Sequence, residues 1–108
     1  MKRGHLVSSI AVVALLIAVR AGQAQQIDPK QGLIVAKQIC AQCHVVESEQ
    51  PSIPAAGAPR FKDIANTPGM TETAFKAFFQ TSHHTMPNVI LTGDQMNEII
   101  AYIMSLKN

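Results

Sequence analysis

Residues 40–44 read Cys-Ala-Gln-Cys-His, and this pentapeptide restricts the chain more than any other part of its sequence. On a helical turn, residues three apart face the same side. Cys40 and Cys43 therefore present two thiols together, with the imidazole of His44 beside them. Thiols so placed can add across two vinyl groups on neighbouring edges of one porphyrin, and the imidazole can offer a neutral nitrogen to its iron. The pattern reads as a c-type haem attachment site. Three other chemistries use parts of it. A thioredoxin-like dithiol shares Cys-x-x-Cys but needs a strand running into the helix, and no alternating strand is visible. Zinc needs about four ligands; Cys40, Cys43 and two histidines could be recruited, but structural zinc sites use tighter paired clusters. A Cys40–Cys43 disulfide closes so small a ring that it staples almost nothing.

A covalent apolar cofactor also answers a shortage of core. The 108 residues are 47% hydrophobic, but unevenly so. Residues 1–5 carry Lys2 and Arg3, residues 6–19 are uncharged, and Arg20, Gly22 and Ala24 follow. This is the charged, apolar and small-residue order of a secretory signal peptide, ending at residue 24. The competing reading is a retained anchor. A spanning helix needs about 20 apolar residues, and this run is shorter and stopped by Arg20. The expected mature domain, residues 25–108, holds 84 residues, of which 25 are large and apolar. Chains this small bury a modest fraction of their surface and lean on a disulfide, metal or cofactor. The formal charge of +2 belongs to the leader: residues 25–108 carry six Lys+Arg against seven Asp+Glu. With no basic block, nucleic acid is not an expected partner. After cleavage no stable membrane insertion is expected.

The remaining pattern predicts an all-α chain of three main helices. Asp28-Pro29-Lys30-Gln31 is a helix start, with Asp28 as cap and Pro29 at the first position, and the helix runs into Cys40. A second spans 71–80, capped by Thr71, with Ala74, Phe75, Phe78 and Phe79 on one face. A third spans 92–106, where Thr92 and Gln95 form a capping box and Met96, Ile99, Ile100, Ile103 and Leu106 recur at helical spacing. Residues 50–69, with Pro51, Pro54, Pro59 and Pro68, read as loop with one short helical turn near 60–65.

A second axial ligand comes from elsewhere in the chain. Met86 precedes Pro87 in a loop between two helices, and the proline keeps Met86 in extended geometry. Met is more often a core filler. Met96 and Met104 read that way within the third helix, and Met70 reads as a surface or staple residue opening the second. His83 and His84 are the rival ligands, two and three residues upstream. His/Met ligation suits an electron-transfer haem because it raises the potential.

At these positions the chain resembles a small class I cytochrome c of the exported bacterial type, from about Ile27 to Lys107. The family's glycine eight residues before the first haem cysteine corresponds to Gly32, and its aromatic residue in the last helix to Tyr102. The resemblance implies that the first and last helices cross closely there, around one covalent haem c. The family's Gly-Pro segment appears as Gly57-Ala58-Pro59, followed by Phe61. By resemblance, the Pro59 carbonyl accepts from the distal ring nitrogen of His44, Met86 is the sixth ligand, and the exposed haem edge lies beside Cys43 and the Met86 loop.

With His44 and Met86 both on iron there is no open position for a substrate. The expected role is a periplasmic one-electron carrier, not an enzyme, exchanging electrons with an oxidase, reductase or dehydrogenase in brief small-area contacts. The alternative is a dedicated haem subunit of a periplasmic dehydrogenase complex. A large exposed apolar patch separates the two, with Ile53, Val89 and Ile90 as its loop candidates. Lys37, Lys62 and Lys76 are candidates for a local basic rim.

Overall fold

The computed structural model describes residues 26–50 and 57–108. The leader expected at residues 1–24, and the part of the proline-rich loop holding Pro51, Ile53 and Pro54, lie outside the described residues. Among the described residues four helices follow in order: α1 (Pro29–Ile39), α2 (Phe61–Ala65), α3 (Glu72–Phe79) and α4 (Gly93–Ser105). Among the described residues there is no strand, and no helix is long and apolar enough to cross a membrane.

Each long helix starts where a side chain can satisfy a first-turn amide. The Asp28 carboxylate accepts from Lys30 N–H at 2.9 Å, with Pro29 in the first turn. Thr71 Oγ1 accepts from Ala74 N–H at 3.1 Å. At α4 the box is reciprocal: Gln95 N–H donates to Thr92 Oγ1 at 3.2 Å, and Thr92 N–H donates to Gln95 Oε1 at 3.0 Å. The turn before α3 is closed by Met70 N–H on the Thr67 carbonyl at 3.1 Å. Gly69 there has φ +78°, the left-handed conformation required at the third position of a type II turn after Pro68.

The largest helix–helix interface is between α1 and α4, and α4 also meets α3 and α2. It is close because Gly32 has no side chain. A Cβ at Gly32 would run into the Glu98 carbonyl of α4 and stand 2.8 Å from Tyr102 Cβ. The buried core is Ala36, Val46, Phe61, Ala65, Phe75, Ile99, Ile100, Tyr102 and Ile103. Tyr102 is the one member with a polar tip. Its hydroxyl donates to the Val46 carbonyl at 2.7 Å, as a buried phenol requires. The tail after α4 is tied back to the start of α3, where Lys107 Nζ donates to the Met70 carbonyl at 2.9 Å.

The three-phenylalanine face of α3 does not stay together. Phe75 is buried and Phe79 half-buried, but Phe78 is 41% exposed. An eight-residue helix has about two turns. Phe78 falls in the second of them, at the rim where the chain leaves the core.

Candidate functional site

The site is assembled from a turn, a loop carbonyl and a cleft. After α1 the chain makes one more helical turn: Cys43 N–H and His44 N–H both donate to the Cys40 carbonyl, at 3.1 and 2.9 Å. Cys40 and Cys43 are free thiols; Cys40 is half-buried and Cys43 exposed. Burial pushes the Cys40 thiol up to about 11, since an apolar wall disfavours the thiolate. That weighs against Cys40 as the attacking thiol of a redox dithiol, which needs the charged form. Among the described residues no three His, Cys, Asp or Glu side chains gather to hold a metal ion.

His44 is held by backbone. Its Nδ1 lies 2.7 Å from the Pro59 carbonyl oxygen, fifteen residues along the chain. A carbonyl can only accept, so Nδ1 carries the proton and Nε2 of the neutral ring keeps its lone pair. The neighbouring segment is fixed as well. Phe61 N–H donates to the Val45 carbonyl at 3.0 Å, and the Phe61 ring stands 5.5 Å from that of His44, tilted by 52°.

These groups border a cleft of about 820 Å³, counted with its open mouth. Cys40, His44, Pro59 and Met86 all line it, and the rest of the wall is largely apolar, with Phe75, Phe79 and Ile103. Cofactor sites are clefts of this kind, lined mostly by apolar side chains with a few polar groups. The donor set suits a covalent porphyrin: two thiols three residues apart, an imidazole with a free Nε2, and a thioether. Cys43 stands outside the cleft wall, and so do His83 and His84.

Of the two readings of Met70, surface or staple, the structure favours the staple: it packs against the core and lines the cleft. Its position was signalled: it precedes the Thr71 cap, where an apolar residue packs toward the fourth helical residue, here Phe75. His83, the rival ligand, is half-buried and stands off the cleft wall; its ring lies on Phe78 with centroids 3.7 Å apart. Of the lysines proposed for a basic rim, Lys37 is paired with Glu47 at 2.9 Å.

No family model matches the chain, and no solved structure matches it. Among curated proteins, cytochrome c-552 of Bradyrhizobium diazoefficiens is 32% identical over 95 residues, covering 88% of this chain and 90% of that protein. With likeness across nearly the whole of both sequences, this chain belongs to the cytochrome c family, as a small class I cytochrome c.

Proposed function

We propose that the chain is a periplasmic one-electron carrier holding one haem c through Cys40 and Cys43, with His44 and Met86 as axial ligands. The observation that carries this is the arrangement of His44: Nδ1 donates to Pro59, which leaves Nε2 as the ligating atom on a cleft that Cys40 and Met86 also line. The haem, when bound, supplies a one-electron iron couple. The chain's own residues supply the rest. Pro59 fixes the tautomer and orientation of His44, and such a partner raises the basicity of the ligand. Phe75, Phe79 and Ile103 exclude water from the cleft, which disfavours the more highly charged oxidised centre. Met86 supplies soft sulfur, which favours the reduced iron and raises the potential. With His44 and Met86 both holding the iron, no position would be left for a substrate, so the chain would transfer electrons rather than make or break substrate bonds.

Export as residues 25–108 supplies the compartment, and redox proteins such as an oxidase, reductase or dehydrogenase are the partners. Of the residues whose exposure separates a free carrier from a permanent haem subunit, Ile90 is exposed, Val89 is half-buried and Ile53 lies outside the described residues. Ile27, Ile34 and Phe78 are exposed as well; the chain is taken as a free carrier, and its native size on gel filtration separates that from a permanent haem subunit.

The test is made on protein matured in a haem-attaching host. Haem stays with the polypeptide through denaturing electrophoresis and acid–acetone extraction. Met86→His lowers the reduction potential and abolishes the weak near-infrared thioether band of the oxidised form. Haem that extracts freely, or a band that survives Met86→His, rejects the assignment.

A further inference from the structure

The stretch between α3 and α4 carries Met86, and little holds it. Among the described residues, the hydrogen bonds made by residues 82–91 are those of the His83 ring. That ring is fixed on two sides. It lies nearly parallel to Phe78, with centroids 3.7 Å apart and planes at 15°. Its Nε2 is 2.8 Å from the Phe78 carbonyl and 3.2 Å from Thr81 Oγ1. The carbonyl can only accept, so Nε2 carries the proton and donates. The Phe78 carbonyl belongs to the last turn of α3, where backbone acceptors have no partner further along the helix. Thr81 N–H and Thr81 Oγ1 reach the same oxygen, at 3.2 and 3.1 Å. His83 thus closes the end of α3 with a side chain three residues before Met86. Phe78 is shared: one face meets His83, its ring meets Phe79 edge-on at 6.1 Å, and it borders the same cleft as Met86.

We propose that His83 is a positioning residue for the Met86 loop, pinning it to Phe78 at the end of α3 and so holding the Met86 thioether against the cleft. The inference rests on Met86 being an axial ligand. Fixing the loop by a stack and a hydrogen bond lowers the population of conformers in which Met86 has swung away. Those conformers admit an external ligand, so the readout is how fast the reduced protein takes up carbon monoxide, which competes with Met86 for the iron.

The experiment uses the full haem-loaded protein. Met86→Ala is the reference, with rapid carbon monoxide binding and no near-infrared thioether band. His83→Ala removes both ring and donor; carbon monoxide binding by the reduced form accelerates about tenfold, while the oxidised form keeps its band at neutral pH. His83→Phe restores the ring without the donor and recovers part of the loss, to about threefold. His84→Ala, at an exposed neighbour, leaves the rate at the parental value. A parental rate in His83→Ala beside a fast Met86→Ala overturns the positioning role alone, whatever the melting temperatures. Met86→Ala without effect on band or rate overturns the ligand reading. Loss of the low-spin spectrum in His83→Ala but not in Met86→Ala makes His83 the ligand and overturns both.

Discussion

Gly32→Ala is the smallest change that reaches the main helix contact. A methyl group in the middle of α1 ordinarily stabilises a helix by about 1 kcal/mol over glycine. Here it is placed where the Glu98 carbonyl already stands and 2.8 Å from Tyr102 Cβ. Neither neighbour is the far end of a flexible side chain. The carbonyl is backbone in the middle of α4, and Cβ moves only with its helix. Relief therefore requires α1 and α4 to separate along their largest interface. Overpacking costs about 1–3 kcal/mol, and a backbone obstacle puts this site at the upper end. Against the helix gain, about 2 kcal/mol of net destabilisation remains. For a domain of this size each kcal/mol moves the melting temperature by about 4–8 °C, so a fall of about 8–16 °C is expected in a thermal melt followed by far-ultraviolet circular dichroism. Because the obstacle at position 98 is a carbonyl, Glu98→Ala does not rescue the variant. A Gly32→Ala protein melting at or above the parent, or one restored by Glu98→Ala, refutes the contact as the reason for glycine.

Three further outcomes test other parts of the structure. Cys40→Ala leaves a single thioether at Cys43, so mass spectrometry of the matured protein still finds one haem mass on the chain while the reduced-haem absorption band shifts toward that of a vinyl-bearing haem. Tyr102→Phe leaves the Val46 carbonyl buried without its donor and costs about 1–3 kcal/mol in denaturant unfolding. Burial, and then Glu47, raise the Tyr102 phenol above its usual value near 10. Its contribution is therefore complete below that value and declines as pH rises through the folded one, and Tyr102→Phe flattens the fall in stability above about pH 10. Lys37→Ala removes a pair whose side chains are 49% and 41% exposed, which costs no more than about 1 kcal/mol, less in high salt; a larger effect would give Lys37 a role beyond the pair.

What could be read from the sequence is what lies close together in it. Asp28, Thr71 and Thr92 cap their helices through amides two or three residues away, so a short window contains donor and acceptor alike. The cysteines and His44 share one turn for the same reason. The separation of fifteen residues between His44 and Pro59 offered no such window; their pairing was expected from resemblance to a family, not from spacing. The cleft was least legible. Its walls come from the turn after α1, from α2, α3, α4 and from the Met86 loop. Its volume depends on where those segments converge, which no periodicity encodes.

Phe78 and His83 show where residue-by-residue reading stops. Helical spacing put Phe78 on the apolar face with Phe75 and Phe79, and that spacing is real. Which residues of a face are covered depends on what lies opposite, and α3 is short enough that its last turn overhangs the core. One face of the exposed ring is met by the chain's own return. Four residues after α3 ends, His83 folds back over Phe78 and donates to the Phe78 carbonyl, which Thr81 also reaches. Read as a residue type, a loop histidine near iron is a ligand or a solvated group. Read in place it is a donor to a helix end, and a histidine whose Nε2 is already engaged has only Nδ1 left for any metal. The same contact, in the role proposed for it, ties the Met86 loop to the wall of the cleft.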